Sequence, residues 1–91
     1  MTFTTLEFLK QADLDLATLD VWIEEQWLIP RTEAIGPSFS EADLARARLI
    51  RDLTEDLGVN PEGVGVVLRL IDQIHGLRSA LAALISASQE R

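Results

Sequence analysis

DVWIEEQWLIPR, Asp20 to Arg31, is the stretch whose reading decides the fold. Asp15 stands where a helix N-cap is wanted, its carboxylate able to accept an otherwise unsatisfied backbone N–H. From there Leu16, Leu19, Ile23 and Trp27 fall at i, i+3, i+7 and i+11, one face of a helix. Pro30 cannot continue a helix, so the spacing predicts a helix over about Leu16 to Trp27. Upstream, Thr4 and Glu7 have capping-box spacing. They open a short helix over about Thr5 to Ala12, with Leu6 and Leu9 expected inward. Asp13 to Asp15 is all that separates the two helices, a turn tight enough for helix-turn-helix geometry. A second helix that read DNA would carry arginines, and this one carries Asp20, Glu24 and Glu25.

Downstream of Pro30, RTEAIGPSF (31–39) is too short for a helix, and Gly36-Pro37 marks a turn. A small hairpin or wing fits there. Ser40 with Asp43 repeats the N-cap pattern and starts a third helix, EADLARARLIRDLTEDL. Leu44, Ala47, Leu49, Ile50, Leu53 and Leu57 supply its apolar stripe, and Gly58 is placed to end it in a left-handed conformation. Asn60 as N-cap and Pro61 at the first helical position start a fourth helix that meets no breaker until about Ser88. At 1.5 Å per residue, roughly 28 residues reach about 42 Å, longer than a domain of this size is wide. Its Val64, Val67, Ile71, Ile74, Leu81, Leu84 and Ile85 recur at near-heptad spacing. Three short helices can cover only part of that stripe. The remainder calls for a second copy of the chain, so these seven residues form the expected homodimer interface. Gly76 in mid-helix fits a close helix crossing or a local kink.

The chain has 91 residues, which bounds it to one domain. The expected division within that domain is 1–58, the helix-turn-helix with wing and third helix, and 59–91, the long helix. There are no cysteines, which removes disulfides and thiolate metal sites and is compatible with a cytoplasmic location. The N-terminal MTFTTLEFLKQADL lacks the pattern of a secretory signal, and no apolar run is long enough to span a membrane. Eight Lys and Arg against fifteen Asp and Glu leave a net charge of −7. Counterion release on nucleic acid rewards clustered bases. Only Arg46, Arg48 and Arg51 cluster here, and acids flank them.

Catalytic chemistry has little to stand on. His75 is the sole histidine, with no orienting partner evident, and no phosphate-binding glycine loop occurs. Asp20, Glu24 and Glu25 lack the loop spacing of a calcium site. The expectation is a non-enzyme with no cofactor and no metal.

Helix, turn, helix, wing, third helix and long dimer-forming helix is a layout that resembles the MerR-type regulators. Their second helix commonly reads L-R-Y-Y-E-x-x-G-L before a proline. Leu19 to Trp27 and Pro30 occupy that stretch, but Asp20 and Val21 stand where the phosphate-contacting arginine and first tyrosine are usual. Gln26 stands where a glycine is usual. The chain is similar over nearly its whole length to the CbpM branch of chaperone modulators. The similarity lies in FSEADLARARLIRDLTEDLGVN, in VVLRLIDQIHGLR, and in the arrangement of Trp22, Trp27 and Pro30. This resemblance implies an all-α fold, a MerR-like winged helix-turn-helix followed by a long dimerisation helix. It also implies a function: binding the J-domain of a DnaJ-like, CbpA-type co-chaperone and inhibiting it by masking its basic, DnaK-facing surface. Asp20, Glu24, Glu25 and Trp27 are the implied contact residues, because an acidic helix complements a basic one. The alternative is a MerR-like DNA-binding transcriptional regulator in which Arg31, Arg46 and Arg48 reach phosphates.

Overall fold

A computed structural model describes Met1 to Gln89. Two compact units divide it, 1–59 and 60–91.

The first unit opens with strand β1 (Thr2–Phe3), then α1 (Thr5–Ala12) and α2 (Leu16–Glu24). Strands β2 (Arg31–Glu33) and β3 (Gly36–Ser40) follow, and α3 (Glu41–Arg51) runs on into one wider π-helical turn, Asp52–Asp56. The caps sit where local chemistry puts them. Thr4 and Glu7 exchange both bonds of a capping box, Ser40 and Asp43 do the same, and the Asp15 carboxylate accepts the Thr18 N–H at 2.8 Å. The three strands make an antiparallel sheet in the order β1-β3-β2. Ala34 and Ile35 form the tip of the β2–β3 wing, with Gly36 at φ 129°, a conformation that favours glycine.

The sheet corrects the all-α expectation: the chain is mainly helical, with a small three-stranded sheet. The wing occupies the segment where a hairpin was expected. Strand β1 was not anticipated, because it is two residues long and exists only by pairing Thr2 with Ser40 and Phe3 with Phe39.

The core of this unit is Phe8, Ala12, Leu19, Trp22, Leu28, Phe39, Leu44, Ala47, Ile50 and Leu53. Phe8 from α1 and Phe39 from β3 stack with ring centroids 4.2 Å apart, an aromatic pair worth about 0.5–1.5 kcal/mol beyond its buried area. That stack fixes the rotation of α1. It turns Phe8 and Ala12 inward, leaves Leu9 half-buried and leaves Leu6, expected inward, largely exposed. In α2 the buried side chains are Leu19 and Trp22, while Leu16 is exposed. On α3 the stripe from Leu44 to Leu53 is buried, but Leu57 lies beyond the π turn and is exposed.

Helix α2 stops at Glu24, three residues before the expected end. Gln26 takes φ 63°, in the left-handed region, and the N–H of Trp27 bonds to the Trp22 carbonyl at 2.9 Å while that of Gln26 bonds to Ile23 at 3.0 Å. This pair of bonds is a Schellman ending. Trp27 therefore sits outside the helix. Helix α1 also ends on a left-handed residue, Asp13 at φ 55°.

The second unit is α4, Pro61–Gln89. Asn60 caps it by accepting the Gly63 N–H at 2.8 Å. Val64 and Leu68 are buried, Val67 and Ile71 are half-buried, and every described residue from Asp72 onward is exposed.

Candidate functional site

The turn between α1 and α2 is held from α3. The Arg51 guanidinium donates to the carbonyls of Ala12 and Asp13, both at 3.0 Å, and pairs with the Asp13 and Glu55 carboxylates at 3.2 and 3.1 Å. Those carbonyls are the ones a helix end leaves without an intrahelical partner. Glu55 first and Asp13 second raise the Arg51 pKa above its ordinary value. Arg46, one and a half turns earlier, donates its Nε–H to the Trp27 carbonyl just past the end of α2. Two arginines of the only basic cluster thus hold the ends of the two motif helices. Arg48 and Arg31 are exposed.

The outward face of α2 carries the charge. Asp20 and Glu24 are exposed and lie one turn apart, i and i+4, with Glu25 exposed at the helix end. Their side chains make no hydrogen bond or ion pair among the described residues. Leu16, Ala17 and Val21 are exposed on the same outward side. Trp27 is half-exposed and follows the helix on the irregular segment, so it does not extend the acidic row. Asp20 and Glu24 are brought together; Trp27 is placed by the Schellman turn instead.

A hollow of about 720 Å³ lies between the β1–α1 segment and the wing, lined by Phe3, Leu6, Ile35 and Pro37 among others. Its carboxylates are Glu7 and Glu33, and Glu7 is engaged in the α1 capping box. Among the described residues no group of three or more His, Asp and Glu side chains gathers to hold a metal ion.

On α4, Ile74, Leu81, Leu84 and Ile85 of the expected interface are exposed, and Val67 and Ile71 half so. Val64 is buried. Leu70 and Leu77, absent from the expected set, are exposed at 53% and 71%. Leu70, Ile74, Leu77, Leu81 and Leu84 run at spacings of four and three, an a/d seam. Ile74, Leu81 and Leu84 belong to this row and to the expected set alike.

No helix of the described residues is long and apolar enough to cross a membrane. No curated protein and no solved structure matches this chain. A family does: the one described as MerR HTH family regulatory protein matches residues 3–85, from strand β1 through the seam of α4. The chain belongs to the MerR helix-turn-helix regulatory family.

Proposed function

We propose that this chain is a non-catalytic modulator which uses the helix-turn-helix scaffold to bind protein instead of DNA. Its target is the J-domain of a DnaJ-like co-chaperone, of the CbpA type, and it acts by covering the basic surface that the J-domain offers to DnaK. The observation that carries this reading is the exposed pair Asp20 and Glu24 on the outward face of α2. Asp20 occupies the position where the family's pattern has a phosphate-contacting arginine. Reversing a phosphate contact replaces an attraction with a repulsion, whereas the same charge attracts a basic helix and orients its approach. Inhibition by occlusion then needs no chemistry from the modulator. The active species is a homodimer in which the exposed seam of α4 is covered by a second copy, in the cytoplasm where such co-chaperones work.

Family membership supports a second reading, a DNA-binding regulator contacting phosphates through Arg31 and Arg48, both exposed. Against it stand the net charge of −7 and the engagement of Arg46 and Arg51 with helix-end carbonyls. One experiment separates the two. The chain is titrated with a purified DnaJ-type J-domain and, in parallel, with duplex DNA in a mobility-shift assay at 150 mM salt. Binding of the J-domain without selective DNA binding is expected. Sequence-selective, micromolar or tighter DNA binding with no J-domain binding would overturn the proposal.

A further inference from the structure

The exposed face of α2 is not uniformly acidic, and its pattern says what kind of surface it fits. At about 100° per residue, its exposed side chains come round the helix in the order Leu16, Asp20, Glu24, Ala17, Val21, an arc of about 140°. Asp20 and Glu24 form a ridge one turn long. Leu16 lies on one side of it and Ala17 with Val21 on the other. Leu16 and Val21 are 53% and 52% exposed, although Leu19 and Trp22 of the same helix are buried.

We infer that this face is a docking surface for one basic amphipathic helix. Two lysines or arginines of that helix, one turn apart, pair with Asp20 and Glu24, and apolar side chains flanking them seat on Leu16 and Val21. The inference rests on the reading that α2 is the docking helix, and it adds a division of labour. Exposed carboxylates in water steer encounter and make it salt-sensitive. Residence time comes from contacts that lose their water, and the side chains on this face that can lose it without burying a charge are the apolar ones flanking the ridge. Charge complementarity selects the occupant. A second copy of this chain carries the same acids and is repelled, and a nucleic-acid backbone is repelled likewise.

The test uses the full chain and two probes. One is a DnaJ-type J-domain. The other is a synthetic helical peptide with lysines at i and i+4 flanked by leucines, accompanied by a control of equal charge in which proline breaks the helix. Fluorescence anisotropy at 50 and 500 mM NaCl compares wild type with two double variants. Leu16→Ser with Val21→Ser should raise the Kd for the helical peptide at least tenfold at both salt concentrations and leave the salt slope unchanged. Asp20→Asn with Glu24→Gln should weaken binding at 50 mM and flatten the slope. Circular dichroism of each variant confirms the helix content. Equal binding of the two peptides, or an apolar double variant that binds the helical peptide like wild type, would overturn the inference. Loss of the pattern for the J-domain alone, with the peptide behaving as expected, would instead discard the J-domain as the occupant and keep the surface.

Discussion

Gln26 and Gly58 share a left-handed φ, 63° and 64°, yet only one of them is glycine. A side chain in the left-handed region costs roughly 1–2 kcal/mol from crowding of Cβ against the following carbonyl. Glycine avoids that cost but gives up about 0.5–1 kcal/mol of extra chain entropy on folding. Gln26→Gly should therefore stabilise the fold by about 0.5–1 kcal/mol. Because Gln26 is exposed, the substitution removes no packing. Gly58→Gln is the mirror experiment and should destabilise by a similar amount, since no atom lies within 4 Å of a Cβ built there and only the backbone is strained. For a domain of this size these values correspond to shifts of about 2–8 °C in Tm, upward and downward respectively. Thermal unfolding followed by circular dichroism at a fixed protein concentration reads both, and fixing the concentration matters if folding is linked to association. A Gln26→Gly variant that is neutral or less stable, beside a Gly58→Gln variant that loses stability as expected, would refute the claim that the end of α2 is strained.

The arginine clamp makes a second prediction: Arg51→Met keeps the side-chain length but abandons the carbonyls of Ala12 and Asp13, so Tm falls and amide exchange in α1 and α2 accelerates more than in α4. Third, bonds from Thr18, its side chain first and its backbone N–H next, hold the Asp15 carboxyl below its ordinary value. A folded pKa lowered in this way stabilises above the unfolded value near 3.9, and the stability is lost as pH falls through the lowered folded value. Asp15→Asn, which keeps a capping oxygen but cannot titrate there, should flatten the acid limb of stability against pH measured by urea unfolding. Fourth, Leu81→Glu places a charge in the α4 seam. If two copies pair there, burying it unpaired costs about 3 kcal/mol or more, over a hundredfold in dimer Kd. Sedimentation equilibrium should show wild type near twice the monomer mass at micromolar concentration and the variant as monomer.

What the sequence disclosed and what it hid divides along the range of the interactions. Thr4, Asp15, Ser40 and Asn60 act on backbone three residues away, and Gly58 acts through its own left-handed φ, so their caps and turns could be read directly. The role of Arg46 and Arg51 could not be: the carbonyls they hold lie 19 and 38–39 residues away, so they looked like a small basic patch. Strand β1 was invisible for the same reason. Periodicity reports spacing, whereas Phe8 and Trp22, the bulkier side chains, set the exact rotation, so Leu6 and Leu16 are exposed while Leu9 and Ile23 stay half-buried. The early end of α2 turns on Gln26, at φ 63°, a position that the family resemblance flags by its usual glycine but that helical periodicity does not. The acidic row was legible throughout, since Asp20 and Glu24 need no tertiary contact to share a face.

The most direct test of a protein-docking rather than a DNA-reading helix is a charge reversal. Asp20, Glu24 and Glu25 are replaced together by lysine, and binding to a DnaJ-type J-domain is measured by stopped flow at low and high salt. Circular dichroism should be unchanged, because all three side chains are exposed. The account predicts loss of J-domain capture, with the association rate falling most at low salt. A triple variant that captures the J-domain as fast and as tightly as wild type would contradict it.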